Sequence, residues 1–242
     1  MIARLFAILR NRTLARMFSF PRNKLDLFTE MNSGKVILIN NAESLLKKSG
    51  VEIFGRFFLA MIAMAAQERT TLPPEKRLPC FVYVDECHDL IRNDPNITVI
   101  LEQARKQRVG IVLAHQHLSQ LSQRVLDSLQ GATSIKFAAA VSDANAHALA
   151  RNMRTTPDFI ERQPVGFFAA YVRGMPHAVS LGVPFFIIEN MERMTEREQE
   201  AVRDEMRRKY AVAWNDATSA APSPSAVNPD DASTDPSWSW GK

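Results

Sequence analysis

The chain has 242 residues, 46% apolar and 23% charged, the balance of a soluble globular protein with a real core. Its formal charge is +4, but four aspartates against one lysine give residues 211–242 a net −3, so residues 1–210 carry +7. A basic body suits a polyanionic partner without establishing one. The two cysteines, Cys80 and Cys87, flank one apolar run and read as reduced thiols of an intracellular protein. No window reaches the ~18 uncharged apolar residues of a membrane-crossing helix.

In chain order, residues 2–18 form an amphipathic pattern that is basic and has no acid before Asp26. It predicts an N-terminal helix packed on the body over 1–24, ended by Pro21 and Asn23, with its arginines in solvent. A transit peptide or membrane-surface helix is the other reading of such a stretch. NSGK then leads into the apolar run VILIN, a predicted strand at 36–40. Helical spacing runs over 51–69, and the proline-bearing loop 70–79 follows. FVYVD at 81–85 reads as the second strand, 97–107 as a helix stopped at Gly110, and IVLAH at 111–115 as the third strand. A helix over 118–129 stops at Gly131, a fourth strand spans 133–140, and a helix starting with Ser142 and Asp143 runs to 153. The short runs around Arg173-Gly174 predict an antiparallel hairpin within 166–182, and FFII at 185–188 a last strand. Thr195 and Glu198 form a capping box ahead of a C-terminal helix assigned to 191–214. Residues 215–242, rich in Ala, Ser, Pro and Asp, are expected to be disordered. Strand–helix alternation with near-continuous apolar strands predicts an α/β fold, a mostly parallel sheet flanked by helices, over 25–190.

The most informative stretch is FVYVDECH, 81–88. An ionised carboxylate is costly to bury without a partner, so Asp85 and Glu86 belong at a strand end, facing water, a metal or a cation. Four apolar residues followed by Asp-Glu is the pattern of a Walker B strand. There the Asp holds a Mg²⁺ that bridges phosphates, and the Glu orients or deprotonates a water. The bland alternative is a strand leading into a helix whose first turn carries acids for dipole reasons. Gln116 follows the next strand, where its amide can reach a γ-phosphate or the attacking water. Arg105, with Lys106 and Arg108, forms a cationic helix end that can stabilise charge in a neighbouring subunit's active site, or simply complement the helix dipole.

The segments FVYVDECHDL, ILEQARKQRVGIVLAHQHLSQL and VLDSLQGATSIKFAAAVSDANAHALA occur in an order that resembles the C-terminal half of the motor domain in the HerA/FtsK superfamily. They are most similar to the conjugative DNA-transfer coupling proteins of type IV secretion (TraG/TraD type, TraM-recognition region). The likeness covers about residues 5–210. It implies a partial RecA-like P-loop core in which Asp85 coordinates Mg²⁺, Glu86 is the catalytic base and Gln116 senses the phosphate of ATP. It also implies a hexameric ring that moves DNA at the inner face of a bacterial membrane, with the chain in the cytoplasm.

The phosphate-cradling half of that site is missing. NSGKV at 32–36 has Thr29 where the first glycine of G-x-x-x-x-G-K-[ST] belongs, Val36 after Lys35, and a strand rather than a helix to follow. It reads as a turn. The chain is therefore expected to hydrolyse little or no ATP alone, as a fragment, as half of a split motor that needs a complementary P-loop half, or as a relative that has lost catalysis. The rival from another class is a non-catalytic module that docks on a partner ATPase, a relaxosome protein or DNA, using the basic body and Arg203, Arg207, Arg208 and Lys209. A zinc site from Cys80, Cys87, His88, His115 and His117 lacks a recognised ligand spacing. A nuclease built on Asp85 and Glu86 is a further alternative, because two acids at a strand end can hold metal, but no further acid cluster of suitable spacing stands out. G-x-S-x-G and G-x-G-x-x-G are both absent, which argues against a hydrolase elbow and a dinucleotide fold.

Overall fold

The structure, a computed structural model, describes residues 14, 15, 18, 23–92, 104–187 and 189–211. The predicted N-terminal helix, most of the predicted helix 97–107, Ile188 and the tail lie largely or wholly outside them. Residues 14, 15 and 18 are helical; Leu14 is buried, and the Phe18 ring stacks edge-on against Phe54 and Phe57.

Helix α1 (Leu27–Asn32) starts where the Asp26 carboxylate accepts from the backbone N–H groups of Phe28 and Thr29. Helix α2 (Glu43–Glu68) is longer than its predicted counterpart and breaks internally at Lys47, which takes a positive φ of 58°. Its Gly50–Thr71 stretch has the length and apolar character of a membrane span. Here it is the central core helix: Val51, Phe54 and Leu59 pack into one apolar cluster, and Ile62, Ala65 and Ala66 into a second.

Strands β1 (Cys80–Val84) and β2 (Val109–Leu113) pair in parallel, Cys80 opposite Val109 and Val84 opposite Leu113. One sheet face, with Cys80, Val82 and Ile111, packs on the α1–α2 cluster, and Val84 and Leu113 join the other. On the opposite face no described element covers Phe81, 63% exposed, Tyr83, 74% exposed, or the exposed Val112. Helix α3 (His88–Ile91) follows β1 and sends Leu90 and Ile91 inward. After a 3₁₀ turn at Leu118–Gln120, helix α4 (Gln123–Ala132) buries Val125 and Leu129, one helical turn apart. It runs through Gly131 instead of stopping there.

A second sheet is antiparallel, in the order β3 (Ile135–Ala138), β4 (Phe167–Val172), β5 (Val179–Gly182). Helices α5 (Asp143–Ala150) and α6 (Pro157–Glu161) cover one of its faces, where Ala138, Ala169 and Tyr171 meet Ala146, Ala150 and Ile160. The other face again carries uncovered apolar side chains: Ile135, Phe137 at 59% exposure, Val172, Val179 and Leu181. The final helix α7 (Glu196–Tyr210) begins with the Thr195–Glu198 capping box. It buries no residue of its own. Lys209 and Tyr210 hold it to the buried Glu30, at 2.8 and 2.9 Å.

The fold is α/β, and the hairpin at 166–182 forms as the turn chemistry implies. The mostly parallel sheet requires correction, because among the described residues only β1 and β2 pair in parallel. The predicted fourth strand is shorter than expected and lies antiparallel to β4, in a ladder that is slightly more stable per residue than a parallel one. VILIN is not a strand: residues 36–40 have no ladder partner among the described residues, with Val36 88% and Leu38 91% exposed. Apolar alternation qualifies a segment for a sheet, but only a neighbouring backbone makes it one. The FFII stretch likewise forms turns over 185–187.

Candidate functional site at the carboxyl ends of the parallel strands

The two parallel strands end side by side, and the chain pins their exits together. The N–H of Ala114 donates to the Val84 carbonyl (2.9 Å), and the N–H of Cys87 donates to the Ala114 carbonyl (2.9 Å). Between these bonds Glu86 adopts a positive φ of 46°, an uncommon conformation for a residue with a Cβ. That reversal aims the Glu86 side chain across at the exit of β2. Its Oε1 accepts a short hydrogen bond from the Gln116 Nε2. Its Oε2 is shielded and lies 3.3 Å from the shielded His88 Nδ1. The other ring nitrogen of His88 lies 3.2 Å from the Gln120 amide nitrogen and 3.4 Å from an Asp89 oxygen.

Asp85 differs from its neighbour. It is exposed, and one carboxylate oxygen accepts from the Glu86 N–H at 3.0 Å. The rest of the carboxylate faces outward, as a ligand for a hard cation requires. His115, next to Gln116, is half-buried; burial holds its imidazole below the usual pKa, helped by the nearby His88 and opposed by Glu86. Asp85, Glu86, His88, His115 and Gln116 thus share one rim. His88 and His115 were visible in sequence only as strand-end histidines. That His88 folds back onto Glu86 depends on the backbone reversal, which leaves no sequence mark.

Other expected residues fall elsewhere. Arg105 is exposed on the helical turn 104–106 that leads into β2, so it sits at the opposite end of the sheet. Five residues at about 3.3 Å per residue put the length of β2 between it and the acids. Within one chain it does not meet them, and only a role on a neighbouring subunit's site is compatible with that place. Cys80 opens β1 at the same far end, while Cys87 is buried beneath the rim with its thiol pushed up to about 11 by burial and the nearby Glu86. Cys80, Cys87, His88, His115 and His117 form no metal-ligating group among the described residues.

NSGK is a turn, as expected: Gly34 takes φ 69°, and the Lys35 ammonium pairs with a Glu30 oxygen at 2.5 Å. Lys35 is therefore committed to the α1–α7 junction and not to a phosphate. The cations of the last helix are committed as well. Arg203 pairs with Glu200, Arg207 with Glu200 and Asp204, Arg208 with Glu205, and Lys209 with Glu30.

No protein-family model matches the chain, and no curated protein matches it.

Proposed function

We propose that the chain is a motor-domain portion of a conjugative DNA-transfer ATPase, with a partial RecA-like core. The observation that carries this reading is the hydrogen bond between Glu86 and Gln116 across the exits of two adjacent parallel strands, with the outward-facing Asp85 beside it. Ligands of open parallel sheets bind at this edge. Asp85 suits Mg²⁺ as a one-carboxylate ligand that leaves room for waters and phosphate, and the ion would spread the charge of the triphosphate. Glu86 would orient and accept a proton from water. Gln116 ties the state of that carboxylate to whatever sits above the β2 exit. Arg105, at the far end of β2, would serve the site of a neighbouring protomer in a ring.

The residues do not fit ATP to the same degree. Among the described residues no glycine-rich loop leads into a helix, and Lys35 is held by Glu30. For nucleotide turnover the phosphate cradle would therefore have to come from outside these 242 residues. The sheet faces that no described element covers support a partner: Phe81, Tyr83 and Val112 on one, Ile135, Phe137, Val172 and Leu181 on the other. Parallel sheets are ordinarily covered on both faces, and uncovered apolar patches of this kind mark interaction surfaces. The same faces favour the second reading, a non-catalytic module that docks on a partner ATPase or relaxosome protein. DNA binding through the last helix is disfavoured, because each of its clustered cations already has an acid.

The test is hydrolysis by the purified chain, alone and mixed with a polypeptide carrying the P-loop half of a coupling-protein motor. The motor reading expects negligible ATP turnover alone, turnover on mixing, and loss of at least about a hundredfold in E86Q. Tight association without turnover, indifferent to E86Q, establishes the docking module instead.

A further inference from the structure

The outer face of the parallel sheet has an apolar centre and a cationic border. Phe81, Tyr83 and Val112 stand there uncovered by any described element. Phe81 lies opposite Gly110, near the end where both strands begin. The segments leading into those strands, 70–79 and 104–108, hold five cations, Lys76, Arg77, Arg105, Lys106 and Arg108, and one acid, Glu75. The two segments meet: Arg108 Nη1 donates to the Arg77 carbonyl (3.3 Å), and Arg77 Nη1 to the Lys106 carbonyl (3.4 Å). Among the described residues none of the five cations is paired with an acid. We propose that residues 212–242 of the same chain dock on this face, with tryptophans on the apolar centre and aspartates against the cationic border.

Two observations name this occupant. The first is chemistry that matches both parts of the surface. All three tryptophans of the chain, Trp214, Trp238 and Trp240, lie in 212–242, with Asp216, Asp230, Asp231 and Asp235 and a single cation, Lys242. Four acids and one cation give a net −3, against a net +4 from the five cations and one acid of the border. The second is where the stretch begins. The Ala211 carbonyl accepts from Lys24 Nζ (3.2 Å), and the Tyr210 hydroxyl donates to Glu30 (2.9 Å). Met31, next to Glu30, gives its carbonyl to Arg69, whose guanidinium also donates to the carbonyls of Leu78 and Gln107. Those two residues adjoin Arg77 and Arg108, so the stretch starts at the end of the sheet that carries the border. Length is ample: at up to about 3.3–3.6 Å per extended residue, Asp216 reaches as far as about 17 Å from Ala211, and Trp238 several times farther.

Aromatic anchors supply most of the energy of such a contact, and opposite charges steer it and fix its register. The stretch is too poor in other apolar residues to bury its tryptophans in a core of its own, and the sheet face offers them cover. Any partner for that face would have to displace the tail first, which weakens the partner's apparent affinity by the fraction of chains left open. The proposal does not rest on the nucleotide reading, because no atom of the strand-exit rim takes part.

The test is tryptophan fluorescence of the full chain carrying W214F, so that emission comes from Trp238 and Trp240 alone. Expected are emission at shorter wavelength than from a synthetic 215–242 peptide and acrylamide quenching at least about twofold weaker, as for rings taken out of water. Both effects should be lost in F81S/Y83S and in R105E/K106E, reduced in D216N/D230N/D231N/D235N, and kept in F137S on the antiparallel sheet. Neither effect should depend on protein concentration. Arg105 and Lys106 are exposed, so R105E/K106E tests the contact even where F81S/Y83S fails to fold. Emission equal to that of the peptide, protection that survives the sheet-face or the charge variants, or loss in F137S overturns the proposal. Protection that grows with protein concentration also overturns it, by assigning the face to a second copy.

Discussion

Replacing Arg69 should be among the most damaging single changes in the chain. The side chain is fully buried, and its guanidinium donates to four acceptors: Nε to Asn32 Oδ1 (3.0 Å), Nη1 to the Gln107 carbonyl (2.9 Å), and Nη2 to the carbonyls of Met31 (3.2 Å) and Leu78 (2.6 Å). Those acceptors lie at the end of α1, just before β1 and just before β2. One side chain thus aligns both strand entrances, and through their register it sets Glu86 opposite Gln116. A hydrogen bond from a charged donor contributes about 1.5–3 kcal/mol, and an orphaned buried acceptor costs about 1–3 kcal/mol. These terms do not add, and the desolvation of the guanidinium offsets part of them. R69A should therefore lose about 3–5 kcal/mol, a large share of the roughly 5–15 kcal/mol of a typical domain. With a urea m-value of about 2 kcal/mol/M, the midpoint should fall by about 2 M at unchanged m. R69M should be nearly as poor, because methionine leaves the same carbonyls unpaired. R69K should fall between, because a compact ammonium cannot span four acceptors. A midpoint shift below about 0.5 M in both R69A and R69M would refute the clamp.

The docking of α7 should be acid-sensitive. Lys209, then Lys35 and Tyr210, hold the Glu30 carboxyl down from 4.5 to about 2. A lowered folded-state pKa contributes stability above the ordinary value that disappears as pH falls through the folded one. Resonances of α7 should therefore report undocking between pH 4.5 and 2, and E30Q should show it already at neutral pH. G55A should destabilise the chain even though alanine is the better helix former by about 1 kcal/mol. A Cβ there would stand 2.2 Å from Leu90 Cδ2 and 3.0 Å from Asn41 Nδ2, and overpacking of that kind costs about 1–3 kcal/mol. A urea midpoint at or above wild type would show that α3 yields more easily than this packing implies.

Much of the site was legible because its signals are local. Apolar runs ending in Asp85-Glu86 and ahead of Gln116 can be read from residue type alone, and so can the Thr195–Glu198 cap and the hairpin about Gly174. Less legible was anything that needs a distant partner. Arg69, next after the last residue of α2, carries no local mark of burial, yet it is the most thoroughly buried polar side chain among the described residues. That Lys35, read as part of a turn, pairs with Glu30 was equally out of reach of local signals.

The sequence by itself determined which segments are apolar, where the helices after Ser142 and Thr195 start, and that two acids stand at the end of a strand, since each follows from side-chain chemistry over a few residues. Only the tertiary structure decided that β1 and β2 lie side by side, that β3 joins β4 while VILIN finds no ladder, and that Glu86 turns to meet Gln116 and His88. Strand pairing and a positive φ are properties of backbones brought together from far apart. Side-chain type constrains them only weakly, and the choice among partners falls to the packing of the whole chain.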